Sequence, residues 1–224
     1  MRQSLVSCVL FGALCCLMSL PAQAWPDSPL QAFEQPAPQD APAPFAYPAG
    51  ALAAHPTFSV SPATPAKLGE TLVVFEQSLL SDVALIARAP ILIDREGGSV
   101  RKWVCIQATH GKTPIRLWFI SSGEGKVTEA QMEAGSFQAQ QQFCGRLPSH
   151  FSPVALSLIS IGDRVRKIEG NIGPASLKAD GWSYWVSRRV YKFDGQRSTE
   201  FVWVGARTGK DGKIDRVFAS QLTQ

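Results

Sequence analysis

The sequence predicts an α+β fold: an antiparallel sheet with one or two short helices packed on one face, preceded by a disordered Pro/Ala-rich segment. Three observations carry this reading. Strand-like runs separated by turn residues fill much of the chain after residue 67. A short helical run at 163–172 stands directly before the last of them. Residues 25–66 hold ten prolines and no Lys or Arg. A helix followed by an antiparallel meander is an α+β arrangement.

The N-terminus reads as an export signal. Arg2 precedes an apolar run at 5–20 (LVSCVLFGALCCLMSL). Pro21-Ala22-Gln23-Ala24 then forms a small-residue cleavage site, with Trp25 the first mature residue. The run is shorter than the roughly 20 residues that span a bilayer. We therefore expect a Sec-type signal peptide over 1–24, cleavage after Ala24, and a periplasmic or secreted mature chain with no transmembrane segment. Cleavage removes Cys8, Cys15 and Cys16 and leaves Cys105 and Cys144. An even pair in an oxidising compartment predicts a disulfide.

Residues 25–66 read as a disordered Pro/Ala-rich tether, because such a segment buries too little apolar surface of its own to offset ordering. Phe33, Phe45, Tyr47 and Phe58 are its aromatic points, either docking sites or incidental. Residues 67–224 form the globular domain, as one core or as two units at 67–148 and 154–224.

Within it, residues 72–75 suit a strand and 77–87 a helix, stopped by Pro90. Ile91-Leu92-Ile93 opens a strand closed at Gly97-Gly98. Residues 100–109 and 115–121 form a hairpin across HGKTP. Residues 128–143 (TEAQMEAGSFQAQQQF), rich in Ala, Gln and Glu, read as a helix ending at Cys144. At 163–172, Asp163 suits the N-cap, and Gly173-Pro174 stops the helix. Strands are expected at 182–193, 199–207 and 214–221, with Asp211-Gly212 making a tight turn.

The stretch I-G-D-R-V-R-K-I-E-G-N-I-G-P at 161–174 resembles the SmpA/OmlA family signature and the β-lactamase-inhibitor-like fold. Gly162, Ile168, Ile172, Gly173 and Pro174 carry the likeness, and Trp182-Ser183-Tyr184-Trp185 resembles the family's next strand. The likeness covers the C-terminal third. It implies protein binding rather than catalysis.

Residues 67–224 carry 21 basic and 15 acidic side chains. In the envelope such an excess suits an anionic partner. Trp182, Tyr184, Trp185 and Trp203, with Arg188, Arg189 and Arg207, are the candidate binding residues, since aromatics and Arg dominate hot spots. We expect an exported, non-enzymatic binding or accessory protein, docking an envelope protein complex, an enzyme, or an anionic lipid or glycan, but no nucleic acid. No catalytic or metal site and no cofactor is expected. The competing reading is an envelope hydrolase using an acidic pair among Asp94, Glu96, Glu124 and Glu129, or a Cys/His site at Cys105 and His110.

Overall fold

The computed structural model describes residues 34–48, 50–51, 54–57, 65–96, 99–137, 142–193 and 195–224. The signal region, the Gly97-Gly98 turn and parts of 25–66 lie outside these residues.

The chain is α+β but mostly sheet, with two α-helices among the described residues. In chain order the elements are β1 (Glu34–Pro36), β2 (Ala66–Leu68), β3 (Thr71–Val73), α1 (Leu80–Ala87), β4 (Ile91–Glu96), β5 (Ser99–His110), β6 (Thr113–Ser121), β7 (Glu129–Ala134), β8 (Cys144–Arg146) and β9 (Val154–Ala155). Then follow α2 (Val165–Ile172), β10 (Leu177–Ala179), β11 (Trp182–Phe193), β12 (Gln196–Thr208) and β13 (Ile214–Thr223). The large sheet runs β1-β4-β5-β6-β7-β13-β12-β11-β10, with β8 alongside β5. A small sheet runs β3-β2-β9.

Residues 128–143 depart from expectation. Their first part is the strand β7, not a helix. Ala130, Met132 and Ala134 alternate with Glu129, Gln131 and Glu133, a period of two that suits a strand held between β6 and β13. Two ladders outweigh the helix propensity of Ala, Gln and Glu. Cys144 therefore opens the strand β8, opposite Cys105 in register, and the two form a disulfide. Helix α2 starts later than Asp163: Arg164 is its N-cap, while Asp163 accepts from Ser160 N–H and pairs with Lys167. Gly173, at φ 97°, closes it.

Side-chain alternation gives the large sheet two apolar faces. One face carries Val104, Leu117, Phe119, Met132, Trp185, Val202, Val204 and Val217, covered by α1, α2 and the small sheet. This cluster runs from Ala66 to Ala219, across both halves of the chain. The other face carries Leu92, Trp103, Trp118 and Ile120 at one end, and Trp182, Tyr184, Val186 and Phe218 at the other.

That second face is covered by the Pro/Ala-rich segment itself. The expectation of a disordered tether is corrected for the described residues 34–48, 50–51 and 54–57. β1 pairs in parallel with β4. Pro42, Pro44, Ala51 and Ala54 are buried. Composition alone misjudged the stretch, because the sheet, not the segment, supplies most of the apolar area.

Two stability changes are expected. Cys105→Ser with Cys144→Ser opens a closed loop of 39-residue separation and lowers the unfolding free energy by about 3–4 kcal/mol in urea titration. Gly205 lies under the ring of Phe218, where an added Cβ would overlap it. Gly205→Val costs about 1–3 kcal/mol in the same assay.

Candidate functional site

The candidate binding residues lie on β11 and β12, and the ladder sorts them by face. Trp182, Tyr184 and Val186 point to the strap side, and Trp185 to the helix side. Trp185 is fully buried and its indole N–H donates to Gly173 O at 3.0 Å. Trp182 and Tyr184 are buried beneath Phe45, Ala51 and Ala54. These three are core, so the open surface expected of them is corrected: each face of this strand has a cover.

The cations divide in the same way. Arg207 makes two hydrogen bonds to Asp215, at 2.8 and 2.9 Å. Arg189 points to the helix side and pairs with Glu200 at 3.1 Å. Arg188 points to the strap side, exposed, with its guanidinium 5.7 Å from the centre of the Phe201 ring. Phe201 stacks on the half-buried Trp203, centroids 5.6 Å apart. Of the seven candidates, Arg188 and Trp203 therefore meet at a surface and the other five are buried or paired.

Sequence reasoning missed the rest of that surface. Val190 and Leu222, each 42% exposed, flank Phe201 on the same face. Beyond Val190, Lys192 stands directly opposite Arg197 in the ladder, both exposed. Like charges in opposed positions destabilise a strand pair. Among the described residues the nearby carboxylates lie elsewhere: Glu200 is on the other face, and Glu129 is buried. The signal available in the sequence was the Asp194-Gly195 dipeptide, a pair that favours tight hairpins; Phe193 stands opposite Gln196 and Lys192 opposite Arg197.

Glu129 is the other unusual group on this face. Its carboxylate accepts from Gln131 Nε2, lies 3.5 Å from Arg101 and takes the hydroxyl of Tyr47. Burial pushes the Glu129 carboxyl above its ordinary range, against the opposing pull of Arg101. Tyr47 is 39% exposed overall, but burial of its hydroxyl end, then the charge of Glu129, pushes the phenol well up.

The hydrolase residues do not assemble. Cys105 is bridged to Cys144, His110 stands at the turn end of β5 opposite Thr113, and Glu124 stands exposed in a loop. Asp94 is exposed on β4 opposite Arg101. A polar cleft of ≈ 410 Å³ lies beside Glu124, but its other carboxylate, Glu76, is fully engaged by Gln221 and Thr223 at 2.6–2.9 Å. Among the described residues no three His, Cys, Asp or Glu side chains converge on a metal position, and no helix is long and apolar enough to cross a membrane.

No family model, no curated protein and no solved structure matches the chain.

A pH dependence follows from Glu129. Its folded-state pKa is raised, so the stability it permits is complete below the unfolded carboxyl value of about 4.3 and declines as pH rises through the folded value. Glu129→Gln keeps an acceptor for Tyr47 and Gln131 and removes the charge. Urea titrations from about pH 4 to pH 8 should show that decline in the wild type. The decline is expected to flatten in the variant, which becomes the more stable protein at the alkaline end.

Proposed function

We propose that the chain is an exported, non-enzymatic binding protein that holds an anionic partner of the cell envelope on the open end of its C-terminal sheet. The observation that carries this is the pairing of Lys192 with Arg197 beside Arg188, Phe201 and Trp203. Two cations placed opposite each other cost the fold stability, and a bound anion would offset that cost. The aromatic pair gives the same surface rigid apolar area at little entropic cost. The bridge between Cys105 and Cys144 suits an oxidising compartment, in keeping with the signal-like residues 1–24. The likeness of residues 161–174 to the SmpA/OmlA signature belongs to the same proposal, since it implies protein binding.

Opposite effects on stability and binding test this reading. Lys192→Glu should raise the unfolding free energy by about 0.2–1 kcal/mol, because it turns a repulsive pair into an attractive one. Arg188→Glu with Lys192→Glu should weaken retention on phosphatidylglycerol vesicles or on envelope extract by at least about tenfold. Wild-type retention should itself fall steeply as salt is raised. Retention unchanged in the folded double variant would remove the proposal.

A further inference from the structure

The strap that covers the second sheet face is held in an unusual way. It contains Pro36, Pro38, Pro42, Pro44 and Pro48. Proline has no N–H, so these positions cannot donate to a ladder. Each residue before a proline is steered to extended backbone. Beyond β1, the sheet grips it chiefly through side chains. The indole N–H of Trp118 donates to Pro42 O at 3.0 Å, and Gln131 Nε2 donates to Phe45 O at 3.0 Å. Both donors are buried, with Trp118 at 2% exposure and Gln131 at 0%. Phe45 sits edge-on to Trp118 at 6.1 Å and beside Trp182 at 6.0 Å, and Tyr47 meets Phe218 edge-on at 4.8 Å.

An aromatic-lined groove with indole and amide donors aimed at main-chain carbonyls is how proline-rich extended segments are recognised in general. The fit is also incomplete. Trp103 Nε1, Gln131 Oε1 and the Tyr184 hydroxyl are buried on this face and have no hydrogen-bond partner among the described residues. A segment that satisfied them would bind with an advantage over the resident one.

We infer that this groove is a binding site for a proline-rich, extended peptide segment of a partner protein, and that residues 37–57 are the resident competitor that fills it in cis. The inference does not depend on the proposed anionic surface, which lies beyond the strap on Phe201, Val190 and Lys192. A tethered segment competes at an effective concentration of roughly millimolar. The intact chain should therefore show only weak binding of a peptide in trans, and weakening the strap should unmask the site.

The probe is a synthetic peptide of residues 34–57, titrated calorimetrically into the full chain and into the Phe45→Ala, Tyr47→Ala chain. The double variant should bind it at least about tenfold more tightly than wild type. Adding Trp118→Phe, which keeps a ring and removes the donor, should reverse most of the gain. A peptide with alanine at 42 and 44 should bind poorly. A folded double variant that ignores the peptide, or binds the alanine peptide equally well, overturns the inference. Should that variant not fold, wild-type chain is incubated with the peptide carrying a photo-crosslinker in place of Phe45. Adducts on β6, β7 or β11 support the groove, and their absence overturns it.

Discussion

The pairing of β7 with β13, from Arg216 opposite Glu133 to Ser220 opposite Glu129, makes two meanders into one sheet. The rest of the structure follows from what that sheet then requires. Its central strands are apolar on both sides: β6 alternates Leu117 and Phe119 on the helix side with Trp118 and Ile120 on the strap side. A sheet of this kind cannot leave either face to water, since each buried aromatic or aliphatic side chain contributes on the order of 1.5–3 kcal/mol only if it is covered. Two helices and a small three-stranded sheet cover one face. No further helix or sheet among the described residues covers the other, so the N-terminal segment takes that place.

A proline-rich segment suits this position for a reason that also limits it. A segment with free N–H groups could add to the sheet edge and pair with other chains. Past the short edge strand β1, proline denies it that option and lays it across the face instead. Its carbonyls still need donors once buried, and Trp118 and Gln131 supply them from within the sheet. Apolar contact alone would let a Pro/Ala segment slide by two residues with little change in area. The polar contacts of Pro42, Phe45 and Tyr47 with Trp118, Gln131 and Glu129 fix one register, as buried polar groups do where apolar contact is undiscriminating.

Much of this was legible in the residues, and the failures share a cause. The hairpin β5–β6, helix α2 with its Gly173 stop, and strands β11 to β13 follow from local alternation and turn chemistry. Residues 128–143 and the strap did not, because each owes its conformation to partners far off in sequence. β7 is a strand because β6 and β13 flank it, and the strap is ordered because Trp118, Trp182 and Phe218 wait for it. At the candidate site the alternation of Tyr184 and Trp185 was readable, but not that both faces are covered. Nor could the sequence say that Asp215 and Glu200 would neutralise Arg207 and Arg189 while Arg188 lay over the Phe201 ring. Those pairings depend on cross-strand register.

The exposed cations Arg188, Lys192 and Arg197 lie where the cover ends. The strap crosses from Trp118 over Phe218 and Tyr184, and Thr57 meets the edge of β11 at Val186. Past Val186 the same face of β11 continues as Arg188, Val190 and Lys192. The change from aromatic to basic side chains along this one strand face therefore coincides with the change from covered to open sheet. Beneath the strap, cations are met: Arg216 lies 5.4 Å over the ring of Phe45 and pairs with Glu133 at 3.2 Å. Beyond it, Lys192 and Arg197 face each other. Cations scattered for solubility alone would have no reason to oppose each other across a ladder, where the cost is avoidable by a single substitution. Their concentration at the uncovered end, next to Phe201 and Trp203, is the arrangement on which the proposal of an anionic partner rests.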